Sequence, residues 1–395
     1  MNSFIGELDR RLGALREQDL FRELRRVDSA QGPHIEIDGE TLLNFSSNDY
    51  LGLANHSALK EASIHAIEKY GAGAGASRLV CGSLAPFDEL ETSLAAFKKS
   101  EAALTFSTGF AAALGTITAL VGKDDIVILD KLVHACIVDA ARLSGAKLRV
   151  FAHNDLNDLE DKLKWAKEFR AQKKGANVLV ITESIFSMDG DAAPLREIAA
   201  LKEKYHAWLM VDEAHATGVI GHGGHGLAEE LGVSQRIEIQ MGTLGKALGA
   251  AGGYICGSRS LIDFLVNRAR SLIFSTAPVP ASAAAATAAI HLVASSEGSA
   301  RRKTLRQLVE QLGAKPEVRN SKFPGAIIPL ILGDESKAIT AAERLREEHI
   351  YVPAIRYPSV ARGSARLRIT LTAAHSATDV STLVHALEPL VNRKS

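Results

Sequence analysis

The sequence is poor in several kinds of residue, and each shortage excludes a class of protein. Among 395 residues there are only three cysteines, and no two form a CxxC pair, which argues against a disulfide scaffold or a cysteine-based zinc site. Lys plus Arg and Asp plus Glu number 46 each, so the net charge of zero gives no long-range attraction to nucleic acid or to an anionic membrane. The sequence has no signal-peptide core at its start and no run of about 20 apolar residues that could span a bilayer. We therefore expect a soluble, cytoplasmic protein with neither a nucleic-acid nor a membrane partner.

Small residues are what the sequence has in abundance. It contains 32 glycines and many alanines, whereas aromatic residues make up only 5%. The hydrophobic fraction of 46% and the charged fraction of 23% are typical of a folded globular protein. Because single hydrophobic cores stop growing at about 250–300 residues, a chain of this length predicts two domains.

Short apolar runs alternate with amphipathic stretches from Asn48 onward. This alternation is typical of βαβ units in a mainly parallel α/β sheet that has helices on both faces. The strands it predicts cover residues 102–106, 125–129, 147–151, 177–182, 208–211 and 237–241, and the helices include 57–69, 87–97, 156–172 and 194–204.

The two ends of the chain show different patterns. Helical spacing of apolar residues predicts an amphipathic helix extending to about Asp28, and an Asp-Gly pair within residues 34–44 predicts a hairpin. After Pro280 the pattern changes to that of a smaller α+β unit. We expect an N-terminal helix and hairpin segment over residues 1–47 that packs near the small domain, a large domain over 48–290 and a small α+β domain over 291–395.

The predicted strand 102–106 is followed by Ser-Thr-Gly-Phe and an alanine-rich stretch. Gly109 lets the backbone approach a ligand closely, and the free N–H groups of Gly109 and Phe110 at the start of a helix attract an anion such as phosphate. A tight turn without any ligand is the simpler interpretation of this segment by itself.

Asp212 directly follows the predicted strand 208–211, and His215 comes three residues later. No further metal-binding side chain is spaced to join them, so we predict no metal site. A pyridinium nitrogen is a better partner, because a carboxylate keeps that nitrogen protonated and thereby strengthens the ring as an electron sink. Taken alone, Asp212 could equally cap a helix beside a surface histidine.

Lys246 lies in the glycine-rich segment GTLGKALGAAGG, after the predicted strand 237–241. Its small neighbours leave it open to a planar ligand, and lysine forms imines with carbonyl compounds once its surroundings favour the neutral amine. His134 and Ser187 also follow predicted strands, and His134 could stack on a flat ring. Each of the three residues also has an interpretation without a ligand: Lys246 as a solvated lysine, His134 as a buried histidine and Ser187 as a helix cap.

One ligand accounts for all of these signals together. It has a carbonyl group for Lys246, a pyridine nitrogen for Asp212 and a flat face for His134, and its phosphate suits the turn at Gly109 and Phe110. That ligand is pyridoxal 5′-phosphate.

Five segments carry a resemblance to a known family. The chain resembles the α-oxoamine synthases, which are fold-type-I pyridoxal-phosphate enzymes that join an amino acid to an acyl-CoA. The resemblance covers nearly the whole chain and implies a large domain with a mainly parallel seven-stranded sheet, a smaller α+β domain and a homodimer. The segments are NFSSNDYLGL (44–53), YGAGAGASRLVCGS (70–83), ESIFSMDGDAAPL (183–195), VDEAHATGVIG (211–221) and GTLGKALGAAGG (242–253).

The resemblance also implies roles for single residues. Lys246 would bind the carbonyl of the cofactor covalently, Asp212 would pair with the ring nitrogen, and His134 would stack on the ring. The further cofactor contacts that it implies are Ser187 and His215 near the phenolic oxygen, Thr243, Gly109 and Phe110 at the phosphate, and Ser275, which with Thr276 is a candidate for reaching the phosphate of the partner subunit.

The implied substrate residues lie near the two ends of the chain. Arg22 would contact the acyl substrate, and Arg356 would bind the carboxylate of the amino acid. Asn48, Ser359 and again His134 complete this set.

Two positions depart from the family pattern and concern the acyl substrate. Members that make the biotin precursor typically read RPPTVP from the arginine that matches Arg356, whereas this chain reads RYPSVA. Ser359 keeps the hydroxyl group of the usual threonine. Phe274 stands where a tyrosine is common.

Within the family the chain is most similar to the enzymes of biotin synthesis that condense L-alanine with a pimeloyl thioester of CoA or of a carrier protein. One alternative is a member that uses glycine and acetyl-CoA, or another acyl chain. A second alternative is a non-catalytic protein that binds the cofactor. The acyl chain, the thiol carrier and the choice between alanine and glycine are left open by the sequence.

Overall fold

The structure is a computed structural model that describes residues 3–173, 175–314 and 324–391. The chain divides into two compact units. The first consists of Met1–Asn48, Met188–Gly190 and Leu305–Ser395, and the second consists of Asp49–Ser187 and Asp191–Thr304.

The described residues form thirteen strands and fourteen α-helices. In chain order the strands are β1 (His34–Ile37), β2 (Glu40–Asn44), β3 (Ala102–Phe106), β4 (Ile126–Asp130), β5 (Lys147–Phe151), β6 (Val178–Glu183), β7 (Trp208–Asp212), β8 (Ile239–Thr243), β9 (Gly253–Gly257), β10 (Ile327–Gly333), β11 (Ile350–Tyr351), β12 (Ala354–Ile355) and β13 (Ala365–Thr370). The helices are α1 (Phe4–Glu17), α2 (Ser57–Tyr70), α3 (Ala85–Lys98), α4 (Gly109–Leu120), α5 (Ala135–Ser144), α6 (Leu156–Gln172), α7 (Leu195–Lys204), α8 (Leu227–Glu230), α9 (Arg259–Arg268), α10 (Arg270–Ile273), α11 (Pro280–Ala294), α12 (Ser296–Gly313), α13 (Glu335–Glu347) and α14 (Ala377–Val391).

The second unit is built on a seven-stranded sheet with the order β3-β9-β8-β7-β6-β4-β5. Strand β9 pairs antiparallel with both β3 and β8, and the strands from β8 to β5 are parallel to one another. The predicted mainly parallel seven-stranded α/β sheet is therefore confirmed. The sequence analysis missed β9, because its short run GYICG is buried and follows directly on a glycine-rich loop.

Both faces of this sheet are covered by helices, which explains why its strands read as continuous apolar runs. Along β4, Val127 and Leu129 pack into one core cluster together with residues of α4 and α5. The alternate residues Ile126 and Ile128 pack into a second cluster together with residues of α6 and α7. The period of two along the strand thus divides the core into two layers.

The first unit contains two small sheets. Strands β1 and β2 form the predicted hairpin, and Asp38 and Gly39 at its turn have φ values of 56° and 80°, as a tight hairpin turn requires. Strand β11 adds to β2 in parallel. The second sheet is antiparallel, with the order β10-β13-β12.

Two expected boundaries differ from those observed. Helix α1 ends at Glu17 rather than near Asp28, because the apolar spacing stops at Leu15 and Asp19 adopts a φ of 56° that no helix allows. The second unit extends to Thr304 rather than to residue 290, and its helix α11 packs against α2 and α3. None of the described helices combines the length and apolar character that crossing a bilayer needs.

Candidate active site

Polar side chains collect at the carboxyl ends of the parallel strands in the second unit. Glu183 is the last residue of β6 and is paired in register with Asp212, the last residue of β7. Thr243 ends the next strand, β8, and Lys246 follows it. In an open α/β sheet ligands bind in the crevice beyond these strand ends, so the topology brings the predicted cofactor residues to one edge.

Lys246 is part of a hydrogen-bonded chain of three side chains. Its amine lies 2.8 Å from Nε2 of His215, and Nδ1 of the same ring lies 2.6 Å from the hydroxyl of Tyr50. Tyr50 is 1% exposed and His215 is 5% exposed, so the partners that orient the amine are held inside the protein. The arrangement thus positions the amine of Lys246 beside His215, a ring that can accept or donate a proton.

Asp212 is a buried carboxylate at the centre of the strand edge. One of its oxygens accepts a hydrogen bond of 2.8 Å from the backbone N–H of Ala214. Burial raises the pKa of Asp212, while the charge of Lys246, this hydrogen bond and the charge of His134 oppose the rise. A buried acid in such a place is stabilised as a carboxylate by a further cationic partner, which is what a protonated pyridine nitrogen supplies.

His134 caps helix α5 and presents an accessible ring beside these groups. Its Nδ1 accepts a hydrogen bond of 3.2 Å from the backbone N–H of Cys136, which fixes the ring. Partial desolvation lowers the pKa of His134, against the opposing charge of Asp212, and so favours the neutral ring. A neutral, fixed and accessible imidazole is suited to stacking on a flat ligand.

Glu183 ties two of the predicted site residues together through their backbones. Its carboxylate accepts from the N–H of His134 at 2.5 Å and from the N–H of Ser187 at 3.2 Å. Burial and the nearby charge of Asp212 raise the pKa of Glu183 to about 8. The sequence analysis quoted Glu183 only as the first residue of the segment 183–195, and nothing in its local pattern indicated that it holds two loops.

The start of helix α4 forms a cradle between the ends of β8 and β9, and its geometry requires a glycine at position 253. A Cβ atom on Gly109 would lie 3.8 Å from Cβ of Thr243, so the end of β8 faces the helix start. A Cβ atom on Gly253 would lie 2.6 Å from the backbone N of Gly109 and would block it. Thr243 is fixed by donating from its hydroxyl to the carbonyl of Gly252 at 2.9 Å. Backbone N–H groups at a helix start bind phosphate, so this cradle fits the phosphate of the predicted cofactor.

Phe110 and Ser275 lie beside that cradle. Phe110 is 46% exposed, and both residues line a cavity of about 720 Å³ together with Thr108. Phe274 lines the same cavity and is 70% exposed.

The predicted substrate arginines are brought together within the first unit, although 334 positions separate them. Arg22 donates to the carbonyl of Tyr357 at 2.8 Å, and Arg356 donates to the carbonyls of Phe21, at 3.2 Å, and Asp19. Burial and the charge of Arg22 lower the pKa of Arg356.

Of the other three predicted substrate residues, His134 belongs to the second unit and has been described above, whereas Asn48 and Ser359 belong to the first. Asn48 accepts a hydrogen bond of 3.1 Å from Arg368. Ser359 is exposed in a turn, where its backbone N–H donates to the carbonyl of Arg356 at 3.0 Å. Among the described residues there is no group of three or more His, Cys, Asp or Glu that could hold a metal ion.

Comparison with known proteins gives the family. The family model for aminotransferase class I and II matches residues 40–387. The chain belongs to this family. It is 46% identical over 393 residues to the 8-amino-7-oxononanoate synthase of Geobacter sulfurreducens, covering 98% of this chain and 97% of that protein. It is 49% identical over 392 residues to the enzyme of the same name from Anaeromyxobacter sp. strain Fw109-5, covering 97% and 95%.

Solved structures of similar fold include a serine palmitoyltransferase and an 8-amino-7-oxononanoate synthase. A serine palmitoyltransferase variant from S. paucimobilis, with bound PLP and myriocin, has a TM-score of 0.90 at 28% identity and covers 97% of this chain and 96% of its own. The 8-amino-7-oxononanoate synthase from Francisella tularensis has a TM-score of 0.72 at 28% identity and covers 88% and 96%. The comparisons confirm the predicted resemblance to the α-oxoamine synthases, the fold-type-I transferase fold and the pyridoxal-phosphate cofactor.

Besides Glu183, the sequence analysis missed the site residues Tyr50 and Gly253. Tyr50 lies in one of the quoted segments, NFSSNDYLGL, yet its contact with His215 spans 165 positions and leaves no local pattern. Gly253 was counted only as part of a glycine-rich segment, and its close approach to Gly109 depends on the unpredicted strand β9.

Proposed function

We propose that this chain is an 8-amino-7-oxononanoate synthase. It condenses L-alanine with a pimeloyl thioester of CoA or of acyl carrier protein, releases CO₂ and the free thiol carrier, and acts in biotin biosynthesis. The proposal is carried by the amine of Lys246, held by His215 and Tyr50 close to buried Asp212, in a chain 43–49% identical to curated proteins of that name over nearly its full length.

The bound cofactor supplies an aldehyde for covalent attachment and a ring that withdraws electrons from the α-carbon of the amino acid. Lys246 would hold this aldehyde through its amine, and the same amine would take up the α-proton of the amino acid. His215, 2.8 Å from the amine, keeps it directed at the site. Asp212 holds a proton on the ring nitrogen, because a carboxylate in a buried place favours a cation beside it.

The remaining cofactor residues bind the cofactor and orient it. His134 stacks on the ring face and excludes water from it, and Glu183 fixes His134 through its backbone at 2.5 Å. Ser187 is fixed by the same carboxyl group, and the resemblance to the α-oxoamine synthases supports its contact with the phenolic oxygen. Gly109 and Thr243 hold the phosphate at the start of α4.

The substrate residues are proposed from the resemblance and from their contacts in the first unit. Arg356 binds the carboxylate of alanine, and a planar guanidinium suits that bidentate contact. Arg22 contacts the acyl substrate and is oriented by its bond to the carbonyl of Tyr357. Asn48 and Ser359 complete the substrate contacts.

The working form is a homodimer in the cytoplasm. The resemblance to the α-oxoamine synthases supports this proposal. Ser275 and Thr276 are the candidates for reaching the phosphate of the partner subunit, and both line a small cavity at the end of α10.

A series of acyl-CoA substrates tests the proposal most directly. Alanine and glycine are each combined with acetyl-CoA and with longer acyl-CoA donors up to pimeloyl-CoA, and the release of free CoA is measured. We expect the fastest release with alanine and pimeloyl-CoA. Faster release with glycine and acetyl-CoA would identify the chain as a glycine C-acetyltransferase instead. A Lys246→Ala variant gives the background of thioester hydrolysis.

A further inference from the structure

His153 lies between two carboxylates at the carboxyl end of the sheet. Its Nδ1 is 3.0 Å from Oδ1 of Asp130, and its Nε2 is 2.9 Å from Oδ2 of Asp191. A carboxylate oxygen only accepts, so both ring nitrogens must donate, which requires the positively charged imidazolium. The edge of the ring packs against Phe186, with ring centroids 4.3 Å apart and planes at 90°. The geometry therefore shows a charged bridge with His153 at its centre.

On one side the bridge fixes the loop that ends in His134. Asp130 is the last residue of β4 and is 1% exposed. Besides His153, its carboxylate accepts from the N–H of Leu132 at 2.8 Å and from the N–H of Asn154 at 2.9 Å. The turn from β4 to His134 is thus wrapped around this carboxylate.

On the other side the bridge fixes the segment after β6 that carries Ser187. The carbonyl of Asp191 accepts from the N–H of Phe186 at 3.0 Å, next to Ser187 in sequence. Asn154 donates from its side chain to Oδ2 of Asp191 at 2.9 Å. The other oxygen of Asp191 is buried and makes no hydrogen bond within the described part of the chain. The cationic group paired with this carboxylate is His153.

We propose that the bridge Asp130–His153–Asp191 positions the cofactor site by setting the distance between the His134 loop and the Ser187 segment. The inference rests on the proposed function, in which these two residues contact the cofactor. His153 itself touches neither and is a positioning residue. Burial alone would lower the pKa of His153, but the hydrogen bonds and charges of Asp130 and Asp191 raise it to about 10, so the bridge stays charged at neutral pH.

The sharpest test removes the carboxylate of Asp191, which is the more exposed of the two carboxylates in the bridge. The side chain of Asp191 is 41% exposed, so Asp191→Ala leaves the buried Asp130 paired with His153 and the core intact. The matched control is Asp161→Ala, which removes an exposed aspartate of helix α6 that is paired with Lys164. Affinity for pyridoxal phosphate is measured by titrating the apoprotein and following quenching of its fluorescence, and the His153 pKa is measured by NMR.

We expect Asp191→Ala to bind pyridoxal phosphate roughly tenfold more weakly and to lower the pKa of His153. A loss of about this size in affinity is seen when the hydrogen-bond partner of a metal-bound histidine is removed. Asp161→Ala should match the wild type in both measurements. The conservative Asp191→Asn variant keeps an acceptor for Nε2 and should recover part of the affinity. Thermal unfolding of each apoprotein separates a change in positioning from a loss of folding.

The possible outcomes separate a failure of the proposed bridge from a failure of the proposed function. Unchanged cofactor affinity in Asp191→Ala, with wild-type binding intact, would overturn the bridge alone. Absence of pyridoxal-phosphate binding by the wild type would overturn the proposed function and, with it, the role of the bridge. If Asp191→Ala loses its fold, Asp191→Asn carries the same comparison, with unchanged affinity counting against the bridge.

Discussion

The amine of Lys246 lies 2.8 Å from Nε2 of His215. The neighbours of Lys246 along the chain, Gly245, Ala247 and Leu248, have no polar side chain. A histidine from the preceding strand–loop unit thus helps to direct the amine. Fixing a flexible lysine side chain costs about 2 kcal/mol of rotamer entropy. The hydrogen bond to the buried ring of His215 helps to offset this cost and so keeps the reactive amine ordered.

The first prediction concerns the covalent attachment of the cofactor. In Lys246→Ala the amine is absent, so we expect no borohydride-stable attachment of pyridoxal phosphate and no turnover above background. Mass spectrometry after borohydride reduction and an assay of CoA release measure the two effects. Lys167→Ala, an exposed lysine on α6, is the control and should behave like the wild type. Turnover retained by carefully purified Lys246→Ala would refute the assignment.

The second prediction concerns Tyr50, whose hydroxyl lies 2.6 Å from Nδ1 of His215. Tyr50→Phe removes this hydrogen bond to a buried nitrogen, which should reduce the free energy of unfolding by about 1–3 kcal/mol. Because the ring also orients Lys246, we expect turnover to fall about tenfold, as when an outer partner of a ligating histidine is removed. Urea unfolding and CoA release measure the two effects.

The control for this change is Tyr205→Phe. Tyr205 donates its hydroxyl to Glu160 at 3.0 Å on a half-buried surface, so the same chemical change should cost less stability and leave turnover unaltered. Equal turnover in Tyr50→Phe and the wild type would show that the hydroxyl has no part in orienting His215.

The third prediction concerns the phosphate cradle. In Gly253→Ala the new Cβ would lie 2.5 Å from the carbonyl oxygen of Thr108 and 2.6 Å from the backbone N of Gly109, and backbone atoms cannot move aside cheaply. We expect a loss of about 1–3 kcal/mol in stability and weaker binding of pyridoxal phosphate. Gly245→Ala is the matched control, because its Cβ would meet nothing closer than 3.5 Å. Identical cofactor affinity in the two variants would argue against a phosphate at this helix start.

Much of the cofactor site could be predicted because its residues follow apolar runs that are visible in the sequence. Asp212 ends β7 and Lys246 follows β8, and the rule that ligands bind at the carboxyl ends of parallel strands brings them together without any knowledge of contacts. The predicted hairpin was confirmed for a similar reason, since Asp38 and Gly39 carry the turn chemistry locally.

The rest could not be predicted, because it depends on contacts between distant parts of the chain. The pairing of Arg22 with the backbone at Arg356 and Tyr357 links positions 334 and 335 residues apart. The bond between Tyr50 and His215 has the same character. No periodicity or spacing encodes such contacts, and only a fold or a resemblance makes them accessible.

The last prediction concerns the pH dependence of stability and a histidine of the first unit. His375 is 4% exposed and stacks on Phe45 at a centroid distance of 4.3 Å. Its Nδ1 accepts from the N–H of Thr372 at 3.1 Å, and its Nε2 lies 3.0 Å from the carbonyl of Asn44, an arrangement that only the neutral ring satisfies. Burial, partly opposed by the hydrogen bond to Asn44, lowers the pKa of His375 to about 4.

The sign of the effect follows from proton uptake. Between pH 6.5 and pH 4 the unfolded chain binds a proton at His375 and the folded chain does not, so stability is fully present above pH 6.5 and is lost as pH falls towards 4. The full loss from this residue should be on the order of 3 kcal/mol. We expect urea unfolding of the wild type to lose more free energy between pH 7 and pH 4.5 than His375→Gln does, although the variant is less stable at pH 7. His385→Gln, at an exposed site, should keep the wild-type dependence, and equal losses in all three proteins would contradict a neutral, buried His375.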